Sequence, residues 1–132
     1  MENRITSDHI TSLQPNEVFV FGSNLDGFHG GGAARQALKW GAIIGQGVGL
    51  QGNTYAIPTM FATEKEMQPY VDEFIQFAKG HPDKIFLVTE IGCGIAGFTP
   101  KDIAPLFEEA VEVENISLPK KFWKVLKKDF PH

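Results

Sequence analysis

The sequence predicts a three-layer α/β/α sandwich around a mostly parallel, mixed central sheet, and three observations carry that prediction. Apolar runs of strand length alternate with stretches of helical period. Two of those runs end in glycine-rich loops that open a helix. No repeat, low-complexity tract or linker divides the 132 residues, so residues 1–132 read as a single domain.

The elements follow in order. "EVFVFG" (17–22) is a continuous apolar run ending at glycine, the pattern of a strand buried on both faces. From Gly32 to Trp40 the spacing turns helical, with Lys39 in the last turn and Gly41 placed as its C-terminal cap. "NTYAIPT" (53–59) is a second strand, stopped at Pro58. Thr63 and Glu66 have capping-box spacing, and Met67, Tyr70, Val71, Phe74, Ile75 and Ala78 mark one apolar face of the clearest helix. "KIFLVTEIG" (84–92) is a third buried strand. Thr99, Pro100 and Asp102 announce a helix through Glu112. "VENISLP" (113–119) suits a last strand and "PKKFWKVLKK" (119–128) a terminal helix.

Composition narrows the function classes. A net charge of −4 and a pI near 5.5 give no strong nucleic-acid signal. One cysteine excludes an internal disulfide framework, no clustered set of metal ligands stands out, and no cofactor is expected. No apolar stretch approaches membrane-helix length, and "MENRITSDHI" lacks a signal-peptide core, so no membrane association and a cytoplasmic location are expected.

Two strand–loop–helix units share one design. In the first, Gly22, Ser23 and Asn24 lead through "LDGFHGGGAA" to Gly30, Gly31, Gly32 and Ala33; in the second, Gly92, Cys93, Gly94, Ile95, Ala96, Gly97 and Phe98 precede Thr99. In an open α/β sheet such loops form the ligand crevice, and glycines there let backbone N–H groups face a phosphate. With only Arg35 near either loop, backbone donors would carry the binding, and two loops suit two phosphates or a diphosphate. Gly92, Gly94 and Gly97 also match G-x-G-x-x-G, with Glu112 and Glu114 beyond. The dinucleotide fingerprint is nevertheless discounted, because Thr99-Pro100 starts the helix after the third glycine rather than around it.

"FGSNLDGFHGGGAARQAL" together with "TEIGCGIAGFTPKDIAPLF" and "GLQGNTYAIPT" resembles the macrodomain family, in a compact bacterial or phage-related branch, over roughly residues 17–110. The resemblance implies binding of ADP-ribose or a close derivative between the two loops. It also implies, for many members, hydrolysis of ADP-ribosyl conjugates or ADP-ribose 1″-phosphate. Where hydrolytic relatives carry an aspartate after the triple glycine this chain has Ala33-Ala34, and where another branch carries one after Ile-Gly-Cys-Gly it has Ala96. Three readings therefore stand: an ADP-ribose binder or hydrolase, a non-catalytic reader of ADP-ribosylated macromolecules, and another nucleotide- or phosphate-metabolite binder.

The ligand-binding candidates are Gly22, Ser23, Asn24, Gly30, Gly31, Gly32, Ala33, Gly92, Cys93, Gly94, Ile95, Ala96, Gly97 and Phe98; the catalytic candidates are Asn24, Asp26 and His29. Asn24 either contacts ligand or serves as a left-handed turn residue. Asp26 and His29 form a differently titrating pair in one loop, or a plain Asp-Gly turn and a loop-stabilising hydrogen bond. Cys93 sits in the second loop, near any bound phosphate, but reads more simply as a small buried hydrophobe. Glu90 ends a strand, with its direction toward or away from the crevice open; Phe28 and Phe98 flank a ribose or adenine or belong to the core; Asp8 is an adenine contact by the resemblance or a helix N-cap by its local sequence. "GAIIGQGVGLQG" (41–52) is a flap or a long connection, and the lysines at 120, 121, 124, 127 and 128 form a solvated face of the terminal helix or a partner surface.

Overall fold

The computed structural model describes residues 4–126. Six strands form one sheet in the order β1-β6-β5-β2-β4-β3. They are β1 (Ile5–Thr6), β2 (Glu17–Ser23), β3 (Gly49–Gln51), β4 (Thr54–Pro58), β5 (Ile85–Val88) and β6 (Ile116–Pro119). All neighbours run parallel except β3, which pairs antiparallel with β4 at one edge. The helices are α1 (Gly32–Ala37), α2 (Gln68–Lys79), α3 (Pro100–Ile103) and α4 (Lys120–Leu126), giving an α/β architecture compatible with a three-layer sandwich.

Alternation along β2 divides the core. Val18 and Val20 join the larger cluster with α2, α3 and α4, while Phe19 and Phe21 face α1 on the other side. In the larger cluster Phe74 is fully buried and meets Tyr55, Phe86 and Phe107 at ring-centroid distances of 5.1, 5.6 and 6.4 Å. The smaller cluster is covered by α1, Trp40, Ile10 and Leu13.

Several elements differ from the sequence reading for identifiable reasons. The helix expected through Glu112 is α-helical only to Ile103 and continues as a 3₁₀ stretch, Ala104–Glu112, with non-helical dihedrals at Phe107. Pro105 lacks an N–H, and its ring collides with the carbonyl one turn back, so the α-helix cannot run through it. The carbonyls released at the end of that stretch are gathered by Arg4. Its Nη2 donates to Ala110 and Val113 at 2.8 Å, Nη1 to Val111 at 3.0 Å and Nε to Ile116 at 2.9 Å. The guanidinium lies over the Trp123 ring at 5.1 Å, and burial pushes its pKa down.

The remaining outcomes concern ends and loops. The helix expected over 32–40 is α-helical to Ala37 and 3₁₀ from Leu38 to Trp40, and Gly41 caps it at φ 110° as anticipated. The capping box of Thr63 and Glu66 forms, opening a 3₁₀ turn that leads into α2. Residues 41–52 are neither a flap nor a bare connection, because they supply the edge strand β3 and turn at Gly52. No helix follows Asp8, so it is not an N-cap. On α4, Phe122 and Trp123 are buried and Lys120, Lys121 and Lys124 are exposed, which is a docked helix with a solvated face; Lys127 and Lys128 lie outside the described residues. No described helix is long and apolar enough to cross a membrane.

Candidate functional site

Topology puts the two glycine-rich loops side by side. β2 and β5 are adjacent and parallel, and the chain leaves them toward opposite edges of the sheet, β2 leading to β4 and β5 to β6. Their carboxyl ends therefore bound a crevice where strand order reverses, the usual place for a ligand in an open α/β sheet. A cavity of ≈ 620 Å³ lies there. That size is within the range of small-molecule sites.

One wall is the loop after β2. Asn24 is a loop staple: its Nδ2 donates to Phe28 O at 3.0 Å, and its Oδ1 accepts from Phe28 N at 2.9 Å. Among the described residues only glycines have positive φ, so the left-handed turn reading of Asn24 does not hold; Gly27, at φ 71°, takes that conformation. Gly27 also lies so close to Gly45 that a Cβ would come within 2.3 Å of its carbonyl carbon. Loop 41–48 is thereby a brace behind this wall, tied by Gly45 N to Gly27 O at 2.9 Å and Ser23 Oγ to Gly47 O at 2.5 Å. The exposed Phe28 ring lies over Gly30, where a Cβ would come within 2.6 Å of it and the ring would have to shift.

The opposite wall is the loop after β5. Gly92 and Gly97 have positive φ, and Phe98 N donates to Gly92 O at 2.9 Å, closing the loop. Among the described residues the amides of Gly30, Gly31, Gly94, Ile95 and Ala96 donate to no protein acceptor. A Cβ added at Gly31, Gly32 or Gly94 would meet nothing within 4 Å. These backbones border open space, with donors available for an anion. Among the described residues no Lys or Arg lines the cavity; Arg35 is exposed outside it.

Eleven of the fourteen sequence-derived ligand candidates line this cavity: Gly22, Ser23, Asn24, Gly30, Gly31, Gly32, Ala33, Gly92, Gly94, Ile95 and Ala96. Cys93, Gly97 and Phe98 do not. Cys93 and Phe98 pack against the larger core instead, and burial, then Glu90, push the Cys93 thiol up to about 11. Cys93 is thus a half-buried thiol at the margin of the core, held in its protonated, unreactive form. Of the catalytic candidates, Asn24 faces the cavity, whereas Asp26 is exposed outside its lining and His29 is buried. The His29 ring sits edge-on to Phe21 at 5.2 Å, and neither nitrogen has a hydrogen-bond partner among the described residues. The expected loop-stabilising hydrogen bond of His29 is thus not made, and the Asp26–His29 pair is not assembled in the cavity.

Thr59, Met60, Thr89 and Ile91 also line the cavity and were missed. Thr59 comes from the end of β4: its amide donates to Ser23 O at 2.9 Å, which places it at the same sheet edge. The parallel pairing of β2 and β4 was the signal that would have found it. Among the described residues Glu90 is the one titratable side chain in the lining. A second cavity of ≈ 370 Å³ adjoins it, lined by Thr6, Ser7, Asp8, Ile10, Gln36 and others, and shares Ala33, Thr89 and Glu90 with the first. The Thr6 hydroxyl there is buried without a partner. Among the described residues no group of His, Cys, Asp and Glu is arranged to hold a metal ion.

Comparison with protein-family models, curated proteins and solved structures gives no match.

Proposed function

We propose that this protein binds ADP-ribose or a close derivative, with the diphosphate between the loops at 30–33 and 94–96. The observation that carries the reading is the cavity between these loops, bordered by unpartnered backbone amides and glycines open to it. A diphosphate matches two opposed sets of N–H donors, and a site without lysine or arginine recognises it through backbone dipoles alone. The adjoining cavity shares Ala33, Thr89 and Glu90 with the first and offers room for a nucleoside, with Asp8 in its lining to meet a polar base edge. The resemblance to macrodomains in the order of the three motifs supports the same ligand.

The site supports binding better than hydrolysis. Ala33, Ala34 and Ala96 offer no acid where hydrolytic relatives carry one, Asp26 lies outside the cavity, Asn24 is engaged at both ends of its amide, and Glu90 stands in the described lining with no second acid or base beside it. A non-catalytic reader of ADP-ribosylated macromolecules is therefore the favoured form of the function. Calorimetry with ADP-ribose, AMP and NAD tests the ligand; no heat from ADP-ribose up to millimolar concentration would refute it. Incubation with ADP-ribosylated protein, ADP-ribosylated DNA and ADP-ribose 1″-phosphate tests the chemistry. Retention of the modification is expected, and its release would establish a hydrolase.

A further inference from the structure

We infer that Glu90 is the specificity determinant for the ribose between base and diphosphate, accepting hydrogen bonds from its 2′,3′-diol. The inference rests on the nucleotide reading above and adds to it the selection of an unmodified ribose. Three observations lead there. Glu90 lines both cavities, so it stands at their junction. A ligand with phosphates in one cavity and a base in the other must pass its sugar through that junction. Among the described residues Glu90 is also the one titratable side chain bordering the larger cavity, and it is partly open, with 36% of the side chain exposed.

The chemistry of the junction fits a diol and not a phosphate. A carboxylate is acceptor-only when ionised and takes two hydroxyl donors at once, whereas it repels a phosphate oxygen. The nearest cation to it among the described ion pairs is Lys121, whose Nζ is 4.0 Å from Glu90 Oε1 and whose side chain is largely exposed. That long, solvated contact leaves the carboxylate free to accept from a ligand. The neighbouring Thr89 hydroxyl donates to Val20 O at 2.8 Å and so holds the strand end on which Glu90 is carried.

The test is a calorimetric series on the unaltered protein with ADP-ribose, its 2′-deoxy and 3′-deoxy forms in the adenosine ribose, and its 2′-phosphorylated form. Each deoxy ligand is expected to bind about 10- to 100-fold more weakly, the loss of a hydrogen bond to a charged group. The 2′-phosphate form is expected to bind at least as poorly. Glu90→Gln should narrow the gap between ADP-ribose and its 2′-phosphate form, since the repulsion goes with the charge. Equal affinity for all four ligands in the unaltered protein overturns the role of Glu90 and leaves the ADP-ribose reading standing. Absence of any ADP-ribose binding overturns both. A Glu90→Gln protein with unchanged melting temperature and unchanged discrimination also overturns it.

Discussion

Replacing Gly94 by glutamate puts a carboxylate into the larger cavity without disturbing the fold. The backbone at Gly94 is not in the left-handed region, and a Cβ there meets nothing within 4 Å, so the side chain is accommodated sterically. A carboxylate about 4 Å from one diphosphate charge, at the effective dielectric of a partly open site, costs about 4 kcal/mol. That corresponds to about a thousandfold weaker binding. Gly94→Gln supplies the same bulk without the charge and isolates the steric part. Calorimetry with ADP-ribose on the three proteins, beside their thermal melts, gives the answer. Gly94→Glu is expected to melt like the unaltered protein and to bind far more weakly than Gly94→Gln. Equal affinities for the Glu and Gln variants would refute an anion at this loop.

Further outcomes are expected elsewhere in the molecule. Arg4→Met strips donors from four carbonyls while keeping the apolar stem, and should destabilise by about 3 kcal/mol in denaturant unfolding; Arg4→Lys should recover only part of it, since an ammonium cannot span the same four acceptors. Phe74→Ala removes a fully buried ring from the larger cluster and should cost about 3–5 kcal/mol by the same measurement. Burial raises Tyr55 to about 12 and Cys93 to about 11, above their ordinary values of 10.0 and 9.0. The unfolded chain therefore releases these protons first, and stability present below pH 9 is lost as pH climbs from 9 to 12. Cys93→Ala and Tyr55→Phe should each flatten that decline in pH-dependent melts. Asp26→Ala, exposed and outside the cavity, should leave ADP-ribose affinity within twofold, and a larger loss would restore Asp26 to the site.

Much of this arrangement was legible in the sequence because local signals and global fold agree. "EVFVFG" reads as a strand buried on both faces, and Phe19 and Phe21 do face one core while Val18 and Val20 face the other. The loops at 22–33 and 92–98 are marked by glycines, and most of their residues do border one cavity. What was not legible depended on contacts far apart in sequence. The short β3 is held by its antiparallel pairing with β4 rather than by a β-rich pattern. Pro105 breaks a stretch whose apolar spacing is otherwise helical. His29 reads as a catalytic or hydrogen-bonding group by residue type, yet tertiary packing seats it against Phe21. The sequence alone leaves open whether Glu90 faces the crevice, since the direction of a residue at a strand end is set by the neighbouring strands and loops. Asp8 shares a cavity with Gln36 and Glu90 only because the leading segment crosses beside the carboxyl end of the sheet.

The structure of the protein soaked with ADP-ribose tests the central claim most directly. Continuous density for the diphosphate between the backbones of 30–33 and 94–96 is expected, with the adenosine ribose beside Glu90 and the base toward Thr6 and Asp8. Density elsewhere on the molecule, or a diphosphate that touches only one of the two loops, would contradict it.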